Sequence, residues 1–207
     1  QRQMCIRDRE ISFSGPKDAL ENGIAMVHQE LNQCLERSVI DNLFLGRYPV
    51  NSMGVVDEGQ MKKKAADLFR KLGMTVNLTQ PMRNMSVSQR QMCEIAKAIS
   101  YNAQVIVLDE PTAMLDPNGR KEVLHAAHEL NRKKGVTILL ITHYMEEVVD
   151  ADYVYVMDKG HVVMQGTPRE IFSQVGTLKE HRLDVPQITL LADLLRQSGL
   201  DIPLGVL

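Results

Sequence analysis

The sequence predicts an α/β protein built on a parallel β-sheet. Two short apolar runs, residues 105–108 and 136–141, are rich in β-branched side chains, as strands buried on both faces are. The stretch between them has a helix-capping residue at its start and a glycine at its end, so it supplies the helix that a parallel crossover needs. Periodicity alone does not separate so short an apolar run from a buried helix segment, and that alternative stays open for residues 105–108.

Length and composition exclude several classes of protein. The 207 residues suffice for one domain with an appendage, and the formal net charge of −2 with scattered basic residues predicts no nucleic-acid partner. No run approaches the about 18 apolar residues of a membrane span, so a membrane role is expected to be peripheral. Three widely spaced cysteines argue against a disulfide framework or a zinc site and suit a reducing compartment.

Two adjacent carboxylates, Asp109 and Glu110, follow the first apolar run. Open α/β sheets bind their ligands at the carboxyl ends of their strands. Because neighbouring anions repel each other, a metal ion or a proton to be transferred would explain the pair, whereas a solvated acidic turn is the alternative. Pro111 ends the strand, and Asp116 followed by Pro117 has the N-cap and N1 residues of the next helix, over residues 118–134.

A second capped helix is predicted to begin at Ser86. Ser86 and Gln89 have the spacing of a capping box, and apolar residues recur from Met92 to Ile99 at helical spacing. The first turn therefore presents Ser86, Val87, Ser88 and Gln89 with backbone N–H groups that attract phosphate. Any amphipathic helix with a good cap has the same pattern, so a purely structural helix is the alternative.

Single polar residues follow two further strands. Gln29 comes shortly after the apolar strand 24–27, and His143 comes after residues 136–141. A glutamine in this position is usually a solvated turn residue, and a histidine at a strand end is usually a hydrogen-bonded bystander. If residues 105–108 and 136–141 are adjacent parallel strands, however, Glu110 and His143 lie at the same edge of the sheet.

The other local patterns complete the predicted element order. Residues 38–47, capped by Ser38, form a helix with two apolar faces, which suits packing on the core alone or on the core and a partner. Residues 1–9 show neither period and are predicted to be an unstructured leader. The remaining predictions are helices at 16–21, 61–72 and 187–197, a hairpin over 153–165 and a capping box at Thr167–Glu170.

Five of these stretches, taken in order, resemble the motifs of ATP-binding-cassette (ABC) transporter ATPases. MVHQELN resembles the Q-loop, MSVSQ the signature motif, VIVLDEP the Walker B motif with its catalytic glutamate, AMLD the D-loop and ITH the H-loop. The resemblance covers the chain from about Glu10 to its end. In the signature, Met85 replaces the usual leucine, and Val87 and Ser88 replace two glycines whose absence restricts close backbone approach to phosphate.

The resemblance implies a role for each motif. Asp109 and Gln29 would bind Mg²⁺, Glu110 would polarise the attacking water, and Gln29 and His143 would sense the γ-phosphate of ATP. The nucleotide site of a second ABC ATPase subunit would be completed by residues from two helix starts: Ser86, Val87, Ser88, Gln89 and Asp116. Integral membrane permease subunits are the other implied partners, which places the protein at the cytoplasmic face of the cell membrane.

Two subfamilies contribute to the resemblance. Up to about residue 102 the sequence is similar to galactoside- and ribose-type sugar importers, and from about residue 108 to energy-coupling-factor importers of vitamins and metals. A chimeric gene or assembly and genuine divergence both explain this. The implied function is ATP hydrolysis that powers uptake of a sugar, a vitamin or a metal.

No GxxxxGK[ST] sequence, the P-loop of such ATPases, occurs in the 207 residues. The expected fold is therefore P-loop NTPase-like, with a helical signature subdomain at about 38–100 but without the N-terminal strands and P-loop. Residues 10–176 would form a partial, N-terminally truncated ATPase domain and 177–207 a helical extension. The fragment alone is expected to be inactive. The alternative is a non-catalytic interaction module that lends its signature motif to an intact partner ATPase.

Overall fold

A three-stranded parallel sheet organises the first part of the chain. The structure, a computed structural model, describes residues 4–6, 9–203 and 205, and it divides into two units, residues 1–141 and 142–207. The first unit contains β1 (Met4–Ile6), β2 (Arg9–Ile11), α1 (Pro16–Glu21), β3 (Ile24–Val27), α2 (Val39–Phe44), α3 (Glu58–Lys71), α4 (Val87–Ser100), β4 (Val105–Asp109), α5 (Pro117–Lys134) and β5 (Thr137–Ile141).

The parallel pairing predicted for the sheet is confirmed. The strand order is β3-β4-β5, with Val27 opposite Leu108 and Asp109 opposite Ile141. Residues 105–108 are thus strand and not helix. The three carboxyl ends lie at one edge of the sheet, where the sequence predicted the ligand site.

Helix α4 lies between two hydrophobic clusters. Ile95 on one side packs with Ile106 and Leu108 of β4 and with residues of α5. Ala96 on the other side packs with Phe69 of α3 and with residues of α2. Ile95, Ala96 and Ile106 are completely buried, so the position of α4 is determined by packing on both sides.

Helix α2 buries both of its apolar faces inside the first unit. Val39, Ile40, Leu43 and Phe44 are each at most 7% exposed, and all belong to the cluster shared with α3 and α4. Of the two alternatives left by the sequence, packing within the chain therefore accounts for the whole pattern.

The N-terminal strands correct the expectation of an unstructured leader. Met4–Ile6 pairs antiparallel with Arg9–Ile11, with Cys5 opposite Glu10. Pairing of the two strands satisfies backbone donors and acceptors whatever the side chains are. Such pairing therefore leaves no hydrophobic period in the sequence. Residues 1–3 and 7–8 of the expected leader lie outside the described residues.

The second unit combines a β-hairpin with short helices. Its elements are α6 (Met145–Val148), β6 (Val154–Asp158), β7 (His161–Gly166), α7 (Pro168–Phe172), α8 (Val175–Glu180) and α9 (Gln187–Gln197). The predicted hairpin, capping box and terminal helix are present, whereas α6 and α8 are too short to show a period in the sequence. No helix in the described part of the chain is long and apolar enough to cross a membrane.

Asn42 of α2 fixes the segment that precedes this helix. Its side chain, 6% exposed, accepts a hydrogen bond from the Cys34 amide (2.8 Å) and donates to the carbonyls of Cys34 (3.0 Å) and Ser38 (3.0 Å). We expect Asn42→Ala to lower the free energy of unfolding by about 2–3 kcal/mol, because buried groups lose their partners. Urea denaturation measures this, with the exposed Asn118→Ala as control. Equal stability losses in the two variants would contradict the assignment.

Candidate functional site

The paired carboxylates lie at the end of the central strand. Asp109 is the last residue of β4, and the Glu110 amide donates to the Ile141 carbonyl at the end of β5 (2.9 Å). The Ala113 amide then donates back to the Glu110 carbonyl (3.2 Å), which closes a tight turn. Both carboxylate residues are half-buried. The register of the sheet therefore places both acidic residues at the same edge of the sheet.

Glu110 has an unusual backbone conformation, with φ at +41°. Residues with a Cβ pay about 1–2 kcal/mol for the left-handed region, and such strain concentrates at functional sites. The sequence contained no signal for it, because a glycine or asparagine is the usual marker of positive φ.

Gln29 follows the neighbouring strand at the same edge. β3 ends at Val27, which lies opposite Leu108, so the chain leaves the sheet beside the Asp109 strand end. Gln29 itself is exposed. The structure thus brings the predicted Gln29, Asp109 and Glu110 to one side of one sheet.

A residue that the sequence analysis missed ties the Gln29 loop to α4. The Gln33 amide group donates to the Arg90 carbonyl (2.9 Å) and to Glu94 Oε1 (2.8 Å), and its Oε1 accepts from Arg90 Nε (3.0 Å). All three bonds span more than 50 residues of sequence, so no local pattern predicts them. Gln33 therefore joins the loop to the helix that begins beside Ser86.

The predicted capping box at the start of α4 is confirmed. Ser86 Oγ accepts from the Gln89 amide (3.2 Å), and Gln89 Oε1 accepts from the Ser86 amide (3.1 Å). Ser86 Oγ also lies 3.0 Å from Ser88 Oγ. Ser86, Val87 and Gln89 are exposed, so the first-turn N–H groups are presented at the surface of the unit.

The start of α5 touches the start of α4. Asp116 Oδ1 caps α5 by accepting from the Gly119 amide (3.1 Å). Gly119 is buried, and a Cβ there would lie 2.8 Å from the Ser88 Cβ, a separation that real Cβ atoms essentially never show. Only glycine permits this approach, which places the cap of α5 next to the first turn of α4. The sequence signal for this approach is the glycine itself, inside an otherwise helical stretch.

His143 belongs to the second unit and is exposed. Its ring lies on that of Tyr144, with 4.2 Å between centroids. Thr142 Oγ1 donates to Glu147 Oε2 (2.8 Å) and accepts from the Tyr144 amide (3.0 Å), so the turn that carries the histidine is well defined. The predicted closeness of His143 and Glu110 joins residues of two units and stays a prediction.

The donor set of the sheet edge suits a cation that also binds substrate oxygens. No group of three or more acidic, histidine or cysteine residues within the described ranges has the arrangement of a metal site. Mg²⁺ commonly takes one or two carboxylates together with phosphates and water, and Asp109 with the amide oxygen of Gln29 would supply protein ligands of this kind.

Burial raises the pKa of the Cys93 thiol to about 12, with a further contribution from Glu94, so Cys93 is not a thiolate nucleophile.

Comparison with known proteins identifies the family. Residues 3–113 match the ABC transporter family. The chain belongs to this family. It is 53% identical over 162 residues to a galactose/methyl galactoside import ATP-binding protein of Treponema denticola, with 78% of this chain and 32% of that protein covered. It is 46% identical over 176 residues to an energy-coupling factor transporter ATP-binding protein of Caldanaerobacter subterraneus subsp. tengcongensis, with 85% and 62% covered.

Solved structures show the same family fold. A protein of an ABC transporter complex from Clostridium perfringens superposes with a TM-score of 0.70 at 28% identity, over 91% of this chain and 75% of that one. An ATP-binding cassette in its ADP conformation gives 0.70 at 25% identity, over 84% and 72%. The predicted P-loop NTPase-like α/β fold is thus confirmed. Relatives of both predicted subfamilies are present, and the chain spans only 32% and 62% of the two relatives named above.

Because the φ angle of Glu110 is positive, the relative stability of two variants at this position can be predicted. Glu110→Gly and Glu110→Ala both remove the carboxylate, but only glycine adopts φ of +41° without cost. We expect the Glu110→Gly variant to be more stable than Glu110→Ala by about 1 kcal/mol in urea denaturation.

A pair of substitutions inside α5 provides the control. Lys121 is an exposed helical residue, where Lys121→Gly should be less stable than Lys121→Ala by about 1 kcal/mol. The same order at position 110 as at position 121 would show that the turn at Glu110 carries no backbone strain.

Proposed function

We propose that the chain is the ATP-binding part of an ABC importer subunit, which hydrolyses ATP to power solute uptake through a membrane partner. The observation that carries this proposal is the register of β3, β4 and β5. It brings the ends of the Gln29 and Asp109 strands together and leaves Glu110 in a strained turn at the same edge. Such convergence suits phosphoryl transfer, which depends on positioning and electrostatic stabilisation.

The acids at the sheet edge have different tasks in this mechanism. Asp109, at the end of β4, would hold Mg²⁺, and Gln29 would contribute its side-chain oxygen from the neighbouring strand end. Bound Mg²⁺ would neutralise charge on the phosphate oxygens. Glu110 orients and polarises the attacking water as a general base, and its backbone hydrogen bond to Ile141 holds the turn against β5. His143 senses the γ-phosphate.

The capped helix starts serve a second nucleotide. Ser86, Val87, Ser88 and Gln89 present the N-terminus of α4, which attracts phosphate held by a second ATPase subunit in a head-to-tail dimer. Asp116 crosses the same interface. It caps α5, and the close approach of Gly119 to Ser88 keeps the starts of α5 and α4 in fixed relation. Integral permease subunits complete the importer at the cytoplasmic face of the cell membrane. The cargo is a sugar, or a vitamin or metal, as the resemblance to two subfamilies implies. The relatives named above include a galactose/methyl galactoside import protein and an energy-coupling factor transporter protein.

A second candidate function is favoured by one observation, the capped and exposed start of α4 at Ser86. Under this alternative the chain is a non-catalytic module that lends Ser86–Gln89 to the P-loop of an intact partner ATPase. The two proposals differ in whether Glu110 ever acts on water.

Turnover by a P-loop-bearing fusion tests the catalytic proposal. A sugar-importer segment with its P-loop is joined ahead of Glu10, and phosphate release is measured with ATP and Mg²⁺. We expect turnover on the order of 1 per second or faster for the fusion and none for the 207-residue chain. Glu110→Gln keeps the shape of the side chain but removes the base, so turnover should fall by about 10²–10⁴ while ATP binding is retained.

Glu122→Gln is the matched control, because it makes the same substitution at an exposed glutamate of α5. This variant should leave turnover unaffected. If the Glu110→Gln fusion hydrolyses ATP as fast as the unsubstituted fusion, the catalytic role of this residue is wrong.

A further inference from the structure

A buried carboxylate lies in the short helix that follows His143. Glu147 of α6 is 5% exposed, whereas the neighbouring Glu146 is an exposed residue. Burial of a carboxylate costs free energy unless hydrogen bonds compensate for the water that it loses. Glu147 Oε2 accepts such a bond from the Thr142 hydroxyl (2.8 Å). The side chain of Glu147 therefore reaches back past His143 to the residue that precedes it.

This contact differs from the capping box at the start of α7. In a capping box the glutamate at the third helical position accepts a hydrogen bond from the backbone amide of the N-cap residue. Glu147 has the third position in α6, but the hydroxyl that it binds belongs to Thr142, two residues before the N-cap Tyr144. The bond therefore closes a loop of the chain, and His143 lies inside that loop.

Two further hydrogen bonds fix the chain on both sides of His143. Thr142 Oγ1 accepts from the Tyr144 amide (3.0 Å), and the Glu147 amide donates to the Tyr144 carbonyl (3.1 Å). Because the Thr142 hydroxyl donates to one group and accepts from another, its orientation is defined. The His143 ring lies against the Tyr144 ring, with 4.2 Å between centroids. An exposed side chain otherwise changes rotamer rapidly, so the bonded turn is what keeps this ring in one place.

Helix α6 is itself attached to the hydrophobic core of the second unit. Met145, Val148 and Val149 pack against the buried cluster that contains Phe172 of α7. Phe172 is 1% exposed, so this cluster is a closed core and not a surface contact. Packing of this kind resists displacement of the helix. It gives Glu147 a fixed position, and the hydrogen bond from Glu147 holds the preceding turn to the same core.

We propose that Glu147 is a positioning residue, which acts through Thr142 to hold the His143 ring in the orientation that contact with the γ-phosphate requires. This inference rests on the proposed function, in which His143 senses the γ-phosphate. Phosphoryl transfer depends on positioning, and a displacement of about 1 Å can cost about 10²-fold in rate. A carboxylate that only stabilised α6 would leave the His143 ring unaffected when it is removed, so the two roles are distinguishable.

Proton NMR of the histidine rings in the 207-residue chain tests the positioning without ATP. The signals that disappear in His143→Ala identify this ring, and their chemical shifts carry the ring-current effect of Tyr144. We expect Glu147→Ala and Thr142→Val to lose this effect, because each removes one partner of the hydrogen bond. Thr142→Val decides the question if Glu147→Ala does not fold.

Two matched variants should keep the His143 signals unchanged. Glu147→Gln retains an acceptor oxygen for the Thr142 hydroxyl, and Glu146→Ala removes the exposed neighbouring carboxylate of the same helix. The proposal is overturned if the His143 signals stay in place in the folded Glu147→Ala and Thr142→Val variants. An equal change in Glu146→Ala would overturn it as well.

Turnover of the P-loop-bearing fusion tests whether the reaction uses the positioned ring. Glu147→Ala should lower turnover by about 10- to 100-fold with little change in ATP affinity, because an oriented partner of the phosphate is lost. In a His143→Ala background the same substitution should cause no further loss. An additional loss of the same size there would overturn the proposal, since Glu147 would act through another group. A fusion without turnover, or one that His143→Ala leaves unchanged, would instead contradict the proposed function, so the two failures are distinguishable.

Discussion

The parallel pairing of β4 with strands on both sides is the interaction on which the candidate site depends. Ile106 and Leu108 point into the core and are at most 1% exposed, which fixes the register of the strand. A slip of one residue would exchange the two faces of β4 and expose these side chains. The burial of two hydrophobic residues therefore determines where Asp109 ends the strand and where Glu110 turns away from it.

The same core also positions α4. α4 contributes Ile95 to the cluster of the sheet and Ala96 to the cluster of α2 and α3, so it cannot shift without opening one of them. Two further contacts, one polar and one steric, hold α4 in place relative to its neighbours. Gln33 joins α4 to the Gln29 loop, and Gly119 admits Ser88 against the start of α5. A displacement of any one of these elements would therefore disturb its contacts with the others.

What the sequence predicted well is local in the chain. The helix caps at Ser86, Asp116 and Thr167 each depend on a hydrogen bond to the residue three positions later, and the strands depend on short runs of β-branched residues. The parallel α/β sheet and the placement of Asp109 and Glu110 at the carboxyl end of a strand followed from these signals. The resemblance to a family supplied their roles.

What the sequence did not predict depends on distant partners. The hydrogen bond between Gln33 and Glu94 joins residues 61 positions apart. No local sequence pattern around Gln33 predicts this bond. The close approach of Gly119 to Ser88 and the burial of both apolar faces of α2 are results of tertiary packing. The left-handed conformation of Glu110 opposes its intrinsic preference, and the hydrogen bonds of its backbone to Ile141 and Ala113 hold the turn.

The central claim is that the turn starting at Ser86 completes a nucleotide site of another subunit, and the mass of the protein in solution tests it most directly. The P-loop-bearing fusion with Glu110→Gln is measured with and without ATP and Mg²⁺. The account predicts a dimer with nucleotide and a monomer without it. Ser86→Asn should preserve both the helix cap and the dimer, whereas Ser86→Asp should preserve the cap but repel phosphate and leave a monomer. A dimer that forms without ATP, or equally with Ser86→Asp, would contradict the account.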